Sequence, residues 1–357
     1  MTDTAAKTLS VVRGFRFEPG HPPRLTVVDQ RALPHTLKEI SIDGVERAVD
    51  AIRALQVRGA PAIAIVAAYA LQLEIERSPE TDARKLAELA GRYVDRLNSS
   101  RPTAVNLGNA MQQFRLLIAR FQNEDRPIAW LRESIAALAG ELAEADEEIC
   151  QTLGRLGSEL IPRGARILTH CNTGALATAG IGTALAALFT AGMQGKGIRV
   201  YATETRPLLQ GARLTTWELQ RAGIDTALIT DSMAAHVLSS GRIDLVMVGA
   251  DRIVANGDTA NKIGTLGIAL AAHHYGVPFY VVAPSTTLDF ALASGDAIPI
   301  EERTADEVRG FGGQAVSPLD VPVYNPAFDV TPGDLITAIV TEKGIHRGPY
   351  DFSPRGT

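Results

Sequence analysis

The chain has 357 residues, of which 46% are hydrophobic and 21% charged, with a formal net charge of -5. That length and balance fit a folded globular protein of two domains and exclude a disordered chain, while the acidic excess argues against a dedicated nucleic-acid binder without excluding a local phosphate site. The two cysteines, Cys150 and Cys171, supply neither a disulfide framework nor a metal-ligand set, which points to a reducing, cytoplasmic compartment.

The first eight residues lack the apolar core of a signal peptide. Residues 9–13 and 24–29 are strand-like and are joined by a Pro/Gly-rich turn at 18–23. Apolar residues then recur at helical spacing over 43–55, 61–76, 82–97 and 104–121. Residues 127–160 read as one or two long helices that link an N-terminal, mostly helical domain (1–126) to a second domain (161–357). Beyond residue 162 the rhythm changes. Strand-like runs at 167–169, 198–202, 226–230, 245–248 and 279–283 alternate with helical patterns at 175–192, 208–221, 232–239 and 261–274. This alternation predicts an α/β fold: a C-terminal Rossmann-like, doubly wound parallel sheet, with a smaller, mostly helical N-terminal domain carrying a short β element. The uncharged run 172–195 is rich in Gly, Ala and Thr and poor in large apolar residues, so it reads as a helix buried against the sheet and not as a membrane span.

Several short stretches carry polar groups where an open sheet binds ligands, at the carboxyl ends of its strands. Thr169-His170-Cys171-Asn172-Thr173-Gly174 follows one strand, and Gly249-Ala250-Asp251-Arg252 follows another. Cys171 is either a thiol activated at a helix start or a buried filler. Asp251 is either a general acid kept protonated by an apolar pocket or a partner of Arg252. Glu204, Arg206 and Gln210 follow a third strand, as a ligand-orienting loop or an ordinary connection. Arg58-Gly59-Ala60-Pro61 opens the helix 61–76, where unsatisfied N–H groups and a fixed charge suit an anion, the alternative being an ordinary turn before a helix. Arg101 precedes another helix, and Asn261-Lys262 reads as the start of the helix 263–274, with Asp258 as a possible cap. Cys150 lies on an amphipathic helix and is assigned to packing. No metal is expected, because His236 stands alone and His273-His274 point to different sides of a helix. No glycine-rich phosphate motif supports a nucleotide cofactor, and the glycines at 192–197 read as a helix stop.

Taken in order, Val57-Arg-Gly-Ala-Pro-Ala-Ile63, Thr169-His-Cys-Asn-Thr-Gly174, Ala202-Thr-Glu-Thr-Arg-Pro207 with Gln210-Gly-Ala-Arg213, Gly249-Ala-Asp-Arg-Ile253 and Asn261-Lys-Ile-Gly-Thr265 resemble the methylthioribose-1-phosphate isomerase family, relatives of the α, β and δ regulatory subunits of translation initiation factor 2B. The resemblance extends from Asp29-Gln-Arg-Ala-Leu-Pro34 to Asn325-Pro-Ala-Phe-Asp329 and Lys343-Gly344. It implies a methionine-salvage enzyme that converts 5-methylthio-ribose 1-phosphate to its ribulose isomer without metal or cofactor. It further implies catalysis by Cys171 and Asp251 and substrate contacts from Arg58, Gly59, Ala60, Arg101, Gln210, Asn261 and Lys262. The expected partners are the sugar phosphate and a second copy of the chain, with no nucleic acid and no membrane. Isomerases of 5-deoxyribose 1-phosphate or ribose 1,5-bisphosphate, and a non-catalytic regulatory subunit, are the alternatives.

Overall fold

Alternating apolar residues near the N-terminus build a small antiparallel sheet of β1 (Phe15–Glu18), β2 (Arg24–Val28) and β3 (Glu39–Ile42). The computed structural model describes residues 10–20, 22–101, 104–124, 126–311 and 313–353, which divide into two compact units. One unit comprises Val12–Gln151 together with the short return segment Ala175–Gly182. The other is formed chiefly by Thr152–Gly174 and the chain from Thr183 onward.

In the first unit the opening strand lies later than the sequence predicts, at 15–18 in place of 9–13, and β3 has no counterpart among the predicted strands. Leu9 lies outside the described residues. The residues just before β1 are held elsewhere: the Gly14 amide donates to the Ala175 carbonyl at 3.2 Å, and a Cβ at Gly14 would stand 2.7 Å from the Leu176 carbonyl oxygen. The helices follow the predicted order as α1 (Val45–Arg53), α2 (Ala60–Arg77), α3 (Ala83–Asn98) and α4 (Val105–Asn123). Because α2 is apolar around most of its circumference, it takes the central place, with α1, α3 and α4 packed on it. Residues 128–159 form one helix, α5 (Ile128–Glu159), without a break.

Cys150 is buried on α5, as its position in the amphipathic pattern requires. It stands 3.9 Å from the carboxylate of Asp146, which also accepts the Ala179 amide at 2.7 Å. Burial pushes Asp146 up to about 6. A carboxyl whose folded pKa exceeds its unfolded value binds more protons when folded, so stability falls as pH rises from about 4 to about 6. Asp146→Asn is therefore expected to gain on the wild type over that window, by about 1–3 kcal/mol. Thermal melts at pH 4 and pH 7 check this; an equal difference in Tm at both would refute it.

The second unit is built on a seven-stranded sheet. Its strands are β4 (Arg166–Thr169), β5 (Arg199–Thr203), β6 (Asp225–Ile229), β7 (Leu245–Val248), β10 (Phe279–Val282), β15 (Ala338–Thr341) and β16 (Gly344–His346). Their spatial order is β16-β15-β10-β7-β4-β5-β6. All neighbours are parallel except β15 and β16. The inner strands β7, β10 and β15 are buried along their whole length, as parallel strands covered on both faces require. The chain starts at β4, moves outward through β5 and β6, then returns to β7 on the other side of β4. Strand order thus reverses between β4 and β7.

The connections differ in detail from the sequence reading. Residues 175–192 hold a short turn of 3-10 helix, Ala175–Ala177, and then α6 (Ala184–Met193), so the uncharged run never forms one long helix. Residues 208–221 open with a π-helical turn, Gly211–Thr215, before α7 (Thr216–Arg221). The helical pattern at 232–239 yields α8 (Ala234–Ser239). The pattern at 261–274 is helical only from α9 (Thr265–His274) onward. Before it, β8 (Arg252–Val254) and β9 (Thr259–Lys262) form a hairpin in a second sheet. There β11 (Leu288–Asp289) lies beside β8 and β14 (Phe328–Thr331) beside β9, as the two edges. In the chain between β11 and β14, β12 (Gly310–Phe311) and β13 (Gln314–Ala315) make a separate two-stranded ribbon. No helix among the described residues is long and apolar enough to cross a membrane.

Candidate active site

The two central strands deliver the two residues expected to do chemistry. β4 pairs in parallel with β7, Leu168 beside Val246, so the chain leaves both strands at the same end of the sheet. Cys171 lies two residues past β4 and Asp251 three past β7, on either side of the point where strand order reverses. Open α/β sheets place their ligand crevice there. The two loops also approach closely: a Cβ at Gly249 would stand 2.5 Å from the Thr173 methyl, so a larger residue would force one of the loops to shift.

The loop that carries Cys171 is fixed by its neighbours. Cys171 adopts φ 63°, left-handed and unusual for a residue with a side chain. Its amide donates to the Thr205 hydroxyl at 2.9 Å, and its carbonyl accepts from the Thr215 hydroxyl at 2.6 Å. Thr205, beyond β5, is itself left-handed at φ 64°. The Asp231 carboxylate, beyond β6, holds that loop by accepting the amides of Thr205 and Arg206 at 2.8 and 2.7 Å. The Asn172 amide donates to the buried Glu218 carboxylate at 2.6 Å. The left-handed conformations of Cys171 and Thr205 are thus held by partners from several elements of the sheet. Cys171 itself is partly buried, and no α-helix starts beside it: α6 begins thirteen residues later.

The Arg252 guanidinium is engaged by Asp289 at 2.9 Å, so it is not reserved for the neighbouring Asp251. The Asp251 amide donates to the Ala260 carbonyl at 2.9 Å, which sets the acid beside the end of β9. Asn261 and Lys262 therefore reach the site on a strand, in contrast to the helix start that the sequence suggested. Asp258 does not cap that helix; its carboxylate accepts the Gly295 and Gly333 amides. The role of cap falls to Asp329, which accepts the Gly264 and Leu266 amides at 2.7 and 3.1 Å. Lys262 is buried, with its ammonium 2.9 Å from the Ala327 carbonyl and 4.5 Å from the centre of the Phe328 ring. Gln210, in the loop after β5, is buried, and its side-chain oxygen has no partner among the described residues. An orphaned buried carbonyl is what a ligand hydroxyl would satisfy. Arg206 is committed elsewhere, donating to the carbonyls of Pro207, Val308 and Gly310.

In the other unit, Gly59 precedes α2 with φ 101°, and a Cβ there would fall 2.5 Å from Ala177. Both the angle and the approach demand glycine. The α2 N-terminus has no side-chain cap and no acidic residue in its first turn, so the N–H groups beside Arg58 and Ala60 suit an anion. Arg101 stands four residues before α4, with Pro102 and Thr103 outside the described residues. Among the described residues no cluster of His, Cys, Asp and Glu is arranged to hold a metal ion.

A sequence model described as the initiation factor 2 subunit family matches residues 56–348. The chain belongs to the initiation factor 2 subunit family. Similar relatives include a methylthioribose-1-phosphate isomerase of Herpetosiphon aurantiacus, 47% identical over 91% of each chain. A 5-deoxyribose 1-phosphate isomerase of Moorella thermoacetica is 48% identical over 92% of this chain and 93% of its own. Among solved structures, the 5-methylthioribose 1-phosphate isomerase of Pyrococcus horikoshii superposes with a TM-score of 0.88 at 40% identity, covering 96% of this chain and 94% of that one. The mixed α/β architecture with its parallel sheet is thus shared within the initiation factor 2 subunit family.

Sequence reasoning passes over three residues of this site. His170 has no metal spacing to single it out, though it sits inside the most informative motif. Thr205 also lies inside a quoted motif but has no chemistry of its own to mark it, and Asp231 lies outside every motif, because both act by accepting backbone amides. The β8–β9 hairpin has a readable sign in Asn256-Gly257, a strong turn pair, with Gly257 at φ 85°.

Proposed function

We propose that this chain is an aldose–ketose isomerase that converts 5-methylthio-ribose 1-phosphate to 5-methylthio-ribulose 1-phosphate, a step of methionine salvage. The observation that carries this is 47% identity to a methylthioribose-1-phosphate isomerase over 91% of both chains. Fold alone does not decide between an enzyme and a regulatory subunit. The doubly wound, Rossmann-like reading of the second unit accords with its strand order, and the same reading takes the chain as a cytoplasmic homodimer that binds no nucleic acid.

The substrate sets an unusual chemical problem. Its anomeric oxygen carries phosphate, so the ring cannot open through a free hydroxyl. In this reading protonated Asp251 gives its proton to the ring oxygen as the C1–O bond breaks, and the electron pair stays on that oxygen. The positive charge left at C1 is shared with the phosphate-bearing oxygen. Cys171, as thiolate, takes the C2 hydrogen as a proton to give an enol. The proton on O2 then passes to Asp251, restoring it, while C1 takes the proton from Cys171 and C2 becomes the carbonyl. In the hydride variant the C2 hydrogen moves to C1 with its electron pair, and Asp251 again receives the O2 proton. Solvent deuterium appearing at C1 marks the enol route; full retention of the C2 hydrogen marks the hydride route. Arg58, the Gly59 and Ala60 amides, Arg101, Gln210, Asn261 and Lys262 are proposed to hold phosphate and hydroxyls, work that consists of positioning and charge stabilisation. The placement of Cys171 and Asp251 beyond neighbouring strands supports their assignment.

The Moorella relative gives 5-deoxyribose 1-phosphate a claim as the substrate. Ketose formation from each of the two sugars by the purified chain is the test. A higher kcat/KM for the methylthio sugar is expected; preference for the deoxy sugar would exchange the two, and turnover of neither would refute the isomerase.

A further inference from the structure

His170, one residue before Cys171, is only 1% exposed, and both its ring nitrogens have partners. Nε2 faces the Ile263 carbonyl at 2.9 Å, and Nδ1 faces the Thr203 hydroxyl at 2.6 Å. A carbonyl can only accept, so Nε2 carries a proton. At the far end of the same chain of contacts, the Cys171 amide can only donate, and it does so to Thr205. The Thr203 and Thr205 hydroxyls lie 3.3 Å apart between these two ends. Their arrangement lets every proton point one way: Cys171 amide to Thr205, Thr205 to Thr203, Thr203 to Nδ1, and Nε2–H to Ile263. The ring also leaves little room, since a Cβ at Gly264 would stand 3.1 Å from it. Ile263 directly follows Lys262, so the relay ties the thiol loop to the end of β9.

We propose that His170 is a positioning residue for the isomerisation: an uncharged strut, protonated on Nε2 alone, that sets where the Cys171 thiol stands relative to Asn261 and Lys262. The inference rests on the assignment of Cys171 given above. Burial is the largest influence on the ring and holds its pKa below the usual histidine range; the Asp231 charge and the backbone carbonyls of Ile263 and Lys262 work against that, and the Lys262 ammonium works with it. With its two nitrogens engaged by Thr203 and Ile263, His170 is assigned no proton transfer with the substrate. Its effect on the reaction runs through geometry, where misplacement by about 1 Å costs on the order of 100-fold.

Two measurements on the full-length protein test this. In 15N-histidine NMR, the His170 ring is expected to show a protonated Nε2 and a bare Nδ1 that do not change from pH 5.5 to 9. A proton on Nδ1, or titration within that range, would overturn the strut. In kinetics, His170→Leu is expected to lower kcat by about 10- to 100-fold with KM within about threefold, and His170→Gln, which keeps a donor for Ile263, to recover most of that loss. Should the leucine variant fail to fold, Thr203→Val against Thr203→Ser reads the same relay: loss in the first and near wild-type kcat in the second. Wild-type kcat in His170→Leu or Thr203→Val refutes the inference while leaving the isomerase intact. An inactive wild type refutes the isomerase itself, and the NMR result still decides the state of the ring.

Discussion

Asp251→Asn is expected to lower kcat by about 10³- to 10⁴-fold while KM stays within about threefold. Asparagine matches the shape of the acid and can accept the same hydrogen bonds, but it has no proton to give to the ring oxygen. Without that proton the C1–O bond must break to an alkoxide, a far poorer leaving group. The loss falls on kcat because the missing interaction exists only as the bond breaks. Asp251→Glu restores a proton at the wrong reach and should fall between the two. Steady-state kinetics on 5-methylthio-ribose 1-phosphate reads all three; a rate for the asparagine variant within tenfold of wild type would remove Asp251 from the role.

Cys171→Ala is expected to cost about 10²- to 10⁴-fold in kcat, again with little change in KM. The same position offers a second readout. Cys171 is held at φ 63°, where any Cβ is strained by about 1–2 kcal/mol and glycine is not. Cys171→Gly should therefore be inactive, yet melt above Cys171→Ala. If the alanine variant proved the more stable, the loop would carry no strain of this kind. The pair separates what the thiol does from what its backbone costs.

Most of the scaffold is legible in apolar spacing. The helices α1 to α5 and the strands β4, β5, β6, β7 and β10 lie where periodicity puts them, because all but the edge strand β6 bury an apolar face or core run, while β6 buries only Ile229. Periodicity fails where burial is polar. β9 reads Thr-Ala-Asn-Lys, which has no apolar alternation, yet all four residues are buried. They are tolerated because Lys262 bonds the Ala327 carbonyl and Asn261 bonds the Thr265 hydroxyl, partners distant from or invisible to a local window. The site shows the same division. Asp251 and Cys171 are marked as candidates by position after apolar strands, and the family resemblance, not position alone, gives them their expected roles. His170, Thr205 and Asp231 do not, since their contribution is a network that exists only after β4, β5 and β6 have paired.

The return of residues 175–182 to the first unit bears on how the protein is made. Asp146, Gly14 and Gly59 each meet a partner in that segment, at Ala179, Ala175 or Leu176, and Ala177. A ribosome that has just finished α5 has not yet translated these partners. At 5–20 residues per second the remaining stretch of 23 residues takes roughly 1–5 s. Through that interval the nascent helical bundle waits with an open seam, a natural place for a chaperone to intervene and a reason that truncation before residue 182 should yield aggregate and not a smaller folded protein.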